Sequence, residues 1–475
     1  MWYNRRSMSS LATTTTCLLL IRHAESLSNR HGSAIGPDSG LTALGWEQAR
    51  QLADWLAANE PLDVIVCSTM LRARQTAEIV SQRLDIPFFV QSGLEEAEMP
   101  YWEELPTFPE TKGLADTPWV PTAETAPKYT AFRARVVPAL RAVLDQHWQK
   151  RIGVISHGGT MSTLLRALIG GHHVSVYQDN TAIHKLIWER DRWTLVYTNR
   201  SEHLIPCDPM PTTNTAPSAT ASPATSIWPS RASLAVAPRN LHLLSSTQVD
   251  ALIRRLQPQP DEDTLDVMAG SGALAIRLAP LVARLVAVDP SPQMLEQIEM
   301  ARLQANLANL QVRWAVADRL PFPGESFDAV TCALGLHHVA DAAIALREMA
   351  RVCRRGGRIL LYEIIGDADP VKRATQDVIE RRRDPTHQTL VTADLLRATA
   401  IACSLEIVYE EEKEVEQRLG DWLALANADE ATAEAVTNML DAAAEGDAAG
   451  LRVHRERDGD LSFRQRRLTL LLHKP

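Results

Sequence analysis

One stretch governs what this chain can fold into. Residues 206–238 read PCDPMPTTNTAPSATASPATSIWPSRASLAVAP. Proline, threonine, serine and alanine dominate the stretch, and no helical or strand period runs through it. Its few large apolar side chains cannot bury enough surface to offset ordering, so it is predicted to be a disordered linker, kept extended by its prolines. A chain of 475 residues broken in this way forms separate domains, and each flank has the size of one. The expected organisation is a disordered N-terminus over 1–16, a first domain over 17–205, the linker over 206–238 and a second domain over 239–475.

Both flanks alternate short apolar runs with amphipathic ones. In the first, CLLLI, LDVIVCS and RIGVIS read as strands. LTALGWEQARQLADWLAAN, MLRARQTAEIVSQRL and YTAFRARVVPALRAVLDQHW read as helices. In the second, LDVMA, RLVAVD, VRWAVA, FDAVTCAL and RILLYEI are strands, a helix is expected over 343–357, and two strand-like runs close the chain. This is α/β patterning with strands buried on both faces. It predicts two doubly wound α/β domains, the second with an antiparallel strand near its end and a hairpin turning at DGD.

Composition narrows the function. The net charge is −9, so no basic excess favours nucleic acid. Apolar runs such as CLLLI are too short to span a bilayer, and the N-terminus lacks the apolar core of a signal peptide. The six cysteines form no C-x-x-C pair, and Cys17, Cys67 and Cys332 sit in apolar runs as core residues. A cytoplasmic protein without structural metal is expected.

Strand ends carry the chemistry in such sheets. Arg22 and His23 end the first strand, Ser156-His157-Gly-Gly ends a later one, and Arg72 opens the helix after VIVCS. Guanidinium forks bind phosphate oxygens, one imidazole can attack phosphorus, and a second can donate to a non-bridging oxygen. Unpaired cations would be costly in a buried crevice without an anion to meet. His147, His184 and the His172-His173 pair are given no role.

LIRHAES, CSTMLRARQTAE and VISHGGTM, in this order, resemble the histidine phosphatase superfamily, its phosphoglycerate-mutase-like branch, over about residues 17–200. The resemblance implies that His23 is the nucleophile that becomes phosphohistidine. It completes the phosphate pocket with Arg22, Arg72 and His157, and adds Asn29 as a further phosphate contact. LEEAEMPYWEE matches the segment of the general acid, which implies Glu96, with Glu95 and Glu98 as neighbouring competitors and Pro100 where a glycine is usual. The following segment is rich in proline, with only Lys112 and Lys128 as cations, which favours hydrolysis of a phosphate monoester over mutase-like phosphoryl transfer.

In the second half, Gly270 and Gly272 lie in a strand-to-helix turn, Asp289 ends the next strand, and AVADRLPFPGESFDAV follows. This series resembles class I S-adenosylmethionine-dependent methyltransferases, nearest the ubiquinone and menaquinone C-methyltransferase type (methyltransferase type 11). The resemblance implies S-adenosyl-L-methionine as cofactor. Asp266, Gly270 and Gly272 would approach its methionine end, Asp289 its ribose and Asp318 its adenine. Met268 stands where the family turn has glycine or alanine. Leu336 and His337 would lie near the methyl donor. His337, His338 and Glu363 are base candidates, with ordinary packing as the competing role. IERRRDPTHQ offers either a solvated helix face or a clamp for an anionic acceptor.

Together these imply a bifunctional enzyme acting on a small-molecule phosphate monoester and a small-molecule methyl acceptor, with no nucleic-acid or membrane partner. Sequential action on one metabolite, dephosphorylation then methylation, is the simplest expectation. The alternative is that one domain is a non-catalytic sensor or scaffold for the other.

Overall fold

The computed structural model describes residues 15–31, 38–97, 101–106, 119–172, 174–204, 244–426 and 428–475. The linker 206–238, residues 1–14, Glu98, Pro100, Lys112 and His173 lie outside them. Thr16, assigned above to the N-terminal tail, begins the first strand. Contacts divide the chain into two units, up to Ser222 and from Pro223.

The first unit runs β1 (Thr16–Arg22), α1 (Leu27–His31), α2 (Ala43–Asn59), β2 (Val64–Cys67), α3 (Leu71–Leu84), β3 (Phe88–Val90), α4 (Pro127–His147), β4 (Arg151–Ser156), α5 (Gly158–Ile169), β5 (Ile183–Glu189) and β6 (Arg192–Arg200). Strand order is β3-β2-β4-β1-β5-β6. β1 is central, parallel to β4 and antiparallel to β5, which is why Leu18 to Ile21 are buried throughout. α2 begins where Thr42 Oγ1 accepts the Gly45 N–H, and it buries Trp46, Ala49, Leu52, Ala53 and Leu56, a helical stripe. The β5–β6 hairpin was not expected. It turns through Arg190 and Asp191, both at positive φ (50° and 61°). That geometry usually calls for Asn-Gly or Asp-Gly, so the sequence signal of a tight hairpin is missing.

The second unit runs α6 (Ser246–Leu256), β7 (Asp263–Val267), α7 (Ala273–Leu278), β8 (Arg284–Asp289), α8 (Pro292–Gln304), β9 (Leu310–Trp314), β10 (Phe327–Ala333), α9 (Ala342–Val352), β11 (Cys353–Ile365), α10 (Pro370–Arg383), α11 (Ala393–Ala402), β12 (Glu406–Arg418), α12 (Leu419–Leu425), α13 (Glu430–Ala444), β13 (His454–Arg455) and β14 (Leu461–His473). Strand order is β12-β14-β11-β10-β7-β8-β9, and β13 pairs with β14. β14 is antiparallel to β11 and β12, between which it inserts. The expected hairpin forms: Glu456 N–H donates to Asp460 O at 2.8 Å, with Gly459 at φ 88°. The helix expected over 343–357 ends at Val352 instead, because Cys353 already pairs with Phe327 in the sheet.

β14 has two working faces. Leu468, Leu470 and Leu472 enter the main core under the parallel strands. Phe463 points the other way, into a satellite core with Ile379 of α10, Trp422 of α12 and Val436 and Leu440 of α13. Gln465 and Arg467 share the Phe463 face by the two-residue period of a strand. Among the described residues no helix is long and apolar enough to cross a membrane.

Candidate active sites

The register of β1 against β4 assembles the first site. Arg22 pairs with Ser156, and His23 N–H donates to Ser156 O at 2.8 Å, so His23 and His157 leave neighbouring strands side by side. Their ring centroids are 5.0 Å apart. Both are buried. His23 Nδ1 donates to Ala24 O at 2.7 Å, which fixes the proton on Nδ1. Its Nε2 therefore keeps the lone pair, which accepts the Arg72 Nε–H at 3.1 Å. Burial first, then the Arg72 charge, hold the His23 pKa well below its ordinary value. The ring is neutral and nucleophilic at Nε2.

Burial first, with the nearby guanidinium charges adding to it, holds the His157 pKa well below its ordinary value as well. His157 Nε2 lies 2.8 Å from Ser68 Oγ. That hydroxyl also accepts the Met70 N–H at 3.3 Å and still has a proton and a second lone pair to offer Nε2. His157 Nδ1 has no partner. Arg22 donates through Nη1 to Gln178 O at 2.7 Å and leaves Nε unpaired. The site thus presents a lone pair at His23, an unmet donor at Arg22 and an unpartnered ring nitrogen at His157, a set suited to a tetrahedral oxyanion.

The two neighbouring glutamates separate cleanly. Glu95 is tied down: Arg135 Nη1 lies 2.6 Å from its Oε2, and Thr69 Oγ1 donates to Oε1 at 2.8 Å. Glu96 turns toward the pocket. Its Oε2 accepts the Gly159 N–H at 3.0 Å in the first turn of α5, and it is the leading nearby charge acting on both Arg22 and Arg72. Asn29 is exposed and local. Its Oδ1 accepts from Ser26 N and Oγ at 3.1 and 3.0 Å, and among the described residues no hydrogen bond joins it to the other pocket residues. Ser68, which anchors the His157 ring at Nε2, was missed; its only signal was its place at the end of β2.

In the second unit Asp266, Asp289 and Asp318 lie at the same edge of three adjacent parallel strands, β7, β8 and β9. Asp289 Oδ2 accepts the Gly270 N–H at 2.9 Å and Oδ1 the Ser291 N–H at 2.8 Å. Asp266 Oδ1 accepts from Thr331 Oγ1 at 2.7 Å, while its buried Oδ2 has no partner. Burial pushes both carboxyl groups up to about 7. Asp318 is exposed in the turn after β9. Gly270 has φ 57°, and nothing lies within 4 Å of where a side chain would start. The turn is thus open for close approach of a ligand. An orphaned acceptor, an open glycine and an exposed acid fit the three parts of a nucleoside-bearing cofactor.

Met268 adopts φ 55°, the conformation a glycine would take without strain. Its bulk is met by Gly335: a Cβ there would lie 2.3 Å from Met268 Cβ. Beyond Gly335, the turn Leu336–His338 is held by Glu363 of β11. Leu336 N–H donates to Glu363 Oε2 at 2.6 Å and His337 Nδ1 to Oε1 at 2.7 Å. The Glu363 carboxylate thus holds a proton on His337 Nδ1. His338 is pushed down to about 3 by burial. Thr331 and Gly335 were not singled out from sequence.

Residues 18–201 match the family model of the histidine phosphatase superfamily, branch 1, and residues 265–361 match that of a methyltransferase domain. The uncharacterized methyltransferase YcgJ of Bacillus subtilis is 33% identical over 136 residues, 29% of this chain and 54% of that protein. The demethylmenaquinone methyltransferase of Deinococcus radiodurans is 46% identical over 104 residues, 21% of this chain and 42% of that protein. The chain thus spans about half the length of the curated relatives it matches. A solved phosphoserine phosphatase from Entamoeba histolytica, in complex with 3-phosphoglyceric acid, is 26% identical with a TM-score of 0.32, covering 40% of this chain and 100% of that one. This chain carries a histidine phosphatase superfamily domain at residues 18–201 and a methyltransferase domain at residues 265–361.

Proposed function

We propose that the chain is a bifunctional enzyme. The first domain hydrolyses a phosphate monoester through a phosphohistidine, and the second transfers a methyl group from S-adenosyl-L-methionine to a small-molecule acceptor. The observation that carries the first half is the fixed tautomer of His23, with Nδ1–H on Ala24 O and the Nε2 lone pair beside Arg72.

In the first step His23 Nε2 forms a bond to phosphorus as the ester P–O bond breaks. Glu96 gives its proton to the leaving oxygen. Arg22, Arg72 and His157 Nδ1–H hold the three non-bridging oxygens. In the second step Glu96, now a carboxylate, takes a proton from water as the water oxygen bonds phosphorus. The P–N bond breaks, inorganic phosphate leaves, and the lone pair returns to Nε2.

In the second domain the bound cofactor supplies a methyl group already activated on a sulfonium. The residues bind and orient. Asp289 offers acceptor oxygens to the ribose hydroxyls, Asp266 Oδ2 an acceptor at the methionine end, and Asp318 one for the adenine amino group. His337 Nε2, oriented by Glu363, can take a proton from an O–H or N–H acceptor. The relatives named as menaquinone and ubiquinone methyltransferases support methyl transfer as the reaction class.

The test is hydrolysis of p-nitrophenyl phosphate together with calorimetric titration of S-adenosylhomocysteine. His23→Ala should abolish the first and leave the second at wild-type affinity. Hydrolysis that survives in His23→Ala would remove the nucleophile, and failure of the wild type to bind S-adenosylhomocysteine would remove the methyltransferase half.

A further inference from the structure

The second domain holds a cavity of about 220 Å³ between the glycine-turn edge of the sheet and the satellite core. Ser245, His337, Arg383, Trp422 and Arg467 are among its walls. The main chain at Gly335 touches Met268 in the strand-end turn, so the cavity begins two residues beyond that contact, at His337.

Two buried guanidinium groups mark this cavity. Arg467 is 7% exposed. Its Nη2 donates to Gln465 Oε1 at 2.9 Å, and its Nε and Nη1 have no partner. Among the described residues no carboxylate forms an ion pair with it. Arg383, at the end of α10, lies with its Cζ 4.2 Å from the Trp422 ring centroid, and its Nε is also unpaired. Burial disfavours the Arg467 cation most, the Glu363 and Glu380 charges favour it without reaching it in an ion pair, and the Arg383 charge opposes it more weakly than either acid acts.

The acids around them are already engaged. Glu380 Oε2 meets Arg383 at 3.0 Å, and Oε1 accepts from Gln465 Nε2 at 2.8 Å. Glu363 is occupied by Leu336 N, Ile364 N and His337. Asp384 Oδ1 accepts from Thr386 N and Oγ1 at 2.9 and 2.6 Å. A buried cation without a counter-ion is unfavourable, and guanidinium donors match carboxylate and phosphate oxygens.

We propose that the methyl acceptor of the second domain carries an oxyanion, a carboxylate or a phosphate monoester, which docks on Arg467 and Arg383 in this cavity with His337 beside it. The proposal rests on the methyltransferase reading of this domain and adds the acceptor's chemical class. It also ranks the arginine run of α10. Arg381 and Arg382 are exposed and belong to a solvated face, whereas Arg383 turns inward to meet a residue from β14, 84 positions along. A phosphate-bearing acceptor would place methylation before dephosphorylation, the reverse of the order expected from the sequence. A carboxylate leaves either order open.

The test uses the full chain carrying His23→Ala, so that phosphate esters are not consumed, saturated with S-adenosylhomocysteine. Benzoate, phenyl phosphate and benzamide are titrated by calorimetry. Only binding that Arg467→Met weakens is assigned to the cavity, and Arg381→Met serves as the exposed control. The expected result is that one anion binds, that Arg467→Met weakens it at least tenfold while Arg381→Met does not, and that benzamide fails to bind. Benzoate alone indicates a carboxylate acceptor, and phenyl phosphate alone a phosphate one. Equal binding of benzoate and benzamide, no binding of either anion, or anion affinity unchanged by Arg467→Met overturns the proposal. If S-adenosylhomocysteine itself does not bind, the methyltransferase reading fails separately. A melting scan guards against a folding defect. With an uncompensated cation removed, Arg467→Met should melt no lower than the parent in the absence of anions. A clearly lower melting temperature would make Arg467 a structural group and also overturn the proposal.

Discussion

Replacing Gly335 by alanine puts a methyl group where none fits. Its Cβ would lie 2.3 Å from Met268 Cβ, 3.0 Å from Met268 Cγ and 3.2 Å from Cys332 Sγ. Carbon atoms in contact sit at about 3.5–4.0 Å, so the overlap with Met268 exceeds an ångström and falls on a Cβ that cannot rotate away. Overpacking of this kind costs about 1–3 kcal/mol. For a domain of this size that lowers the melting temperature by roughly 2–12 °C. Met268→Gly acts oppositely on the backbone. It relieves a left-handed φ of 55°, a strain of about 1–2 kcal/mol, while giving up a half-buried side chain and adding glycine's entropy cost. Those terms nearly cancel. In the Met268→Gly background the two closest overlaps disappear and the nearest remaining contact is Cys332 Sγ at 3.2 Å, so Gly335→Ala should there cost clearly less. The double-mutant cycle therefore predicts a coupling of about 1–3 kcal/mol. Scanning calorimetry on the full chain reads it, with the second domain's transition identified as the one S-adenosylhomocysteine raises. An equal cost of Gly335→Ala in both backgrounds would show that the Met268 side chain does not demand this glycine.

Three further outcomes follow from the two sites. Asp289→Ala should weaken S-adenosylhomocysteine binding by about 1.5–3 kcal/mol, read by calorimetric titration; unchanged affinity would place the ribose elsewhere. Glu96→Gln should slow release of the alcohol from an alkyl phosphate by about 10²–10⁴-fold but the burst release of p-nitrophenol from p-nitrophenyl phosphate far less, because that leaving group needs no proton and only the later water step then calls on Glu96; equal losses in the release step would deny Glu96 the role of acid. The two domains should also respond differently to acid. His23 and His157 are depressed by burial, and His184 and His203 sit at about 4 for the same reason. Unfolded imidazoles take protons near pH 6.5 while these do not, so each costs the first domain about 1.4 kcal/mol per pH unit as pH falls below about 6.5. In the second domain Asp266 and Asp289, raised to about 7, hold protons that the unfolded chain has lost, so acidification from pH 7 adds stability, partly offset by His338. Between pH 7.5 and 5.5 the first transition should fall and the second hold or rise, and parallel shifts would contradict these charge states.

The legible parts of this molecule are those where local pattern and global position agree. A buried central strand must be apolar along its length and can turn polar only at its end, so LLLI running into Arg22-His23 announced both β1 and the site. The same holds for β4 and His157. Glu96 was drawn from its segment, but only tertiary contacts with Arg135 and Thr69 explain why Glu95 cannot take its place. The β5–β6 hairpin was hidden because Arg190-Asp191 adopt a turn that neither residue favours. The α9 boundary was misplaced because the pairing of Cys353 with Phe327 overrides a helical pattern that runs on to the glycines. Arg467 looked like part of a charged hairpin. Its burial depends on which face of β14 meets Trp422, a fact set by the packing of α10, α12 and α13 far away in sequence. Met268 was visible as a departure, but Gly335, which makes room for it, was not.

The most direct measurement of the central claim is to trap the phosphorylated protein. Wild type is mixed with a labelled phosphate monoester, quenched in alkali and mapped by mass spectrometry. The account predicts a single acid-labile phosphate on His23, absent in His23→Ala, while that variant still binds S-adenosylhomocysteine as the wild type does. Label on His157, or label that persists in His23→Ala, would contradict it.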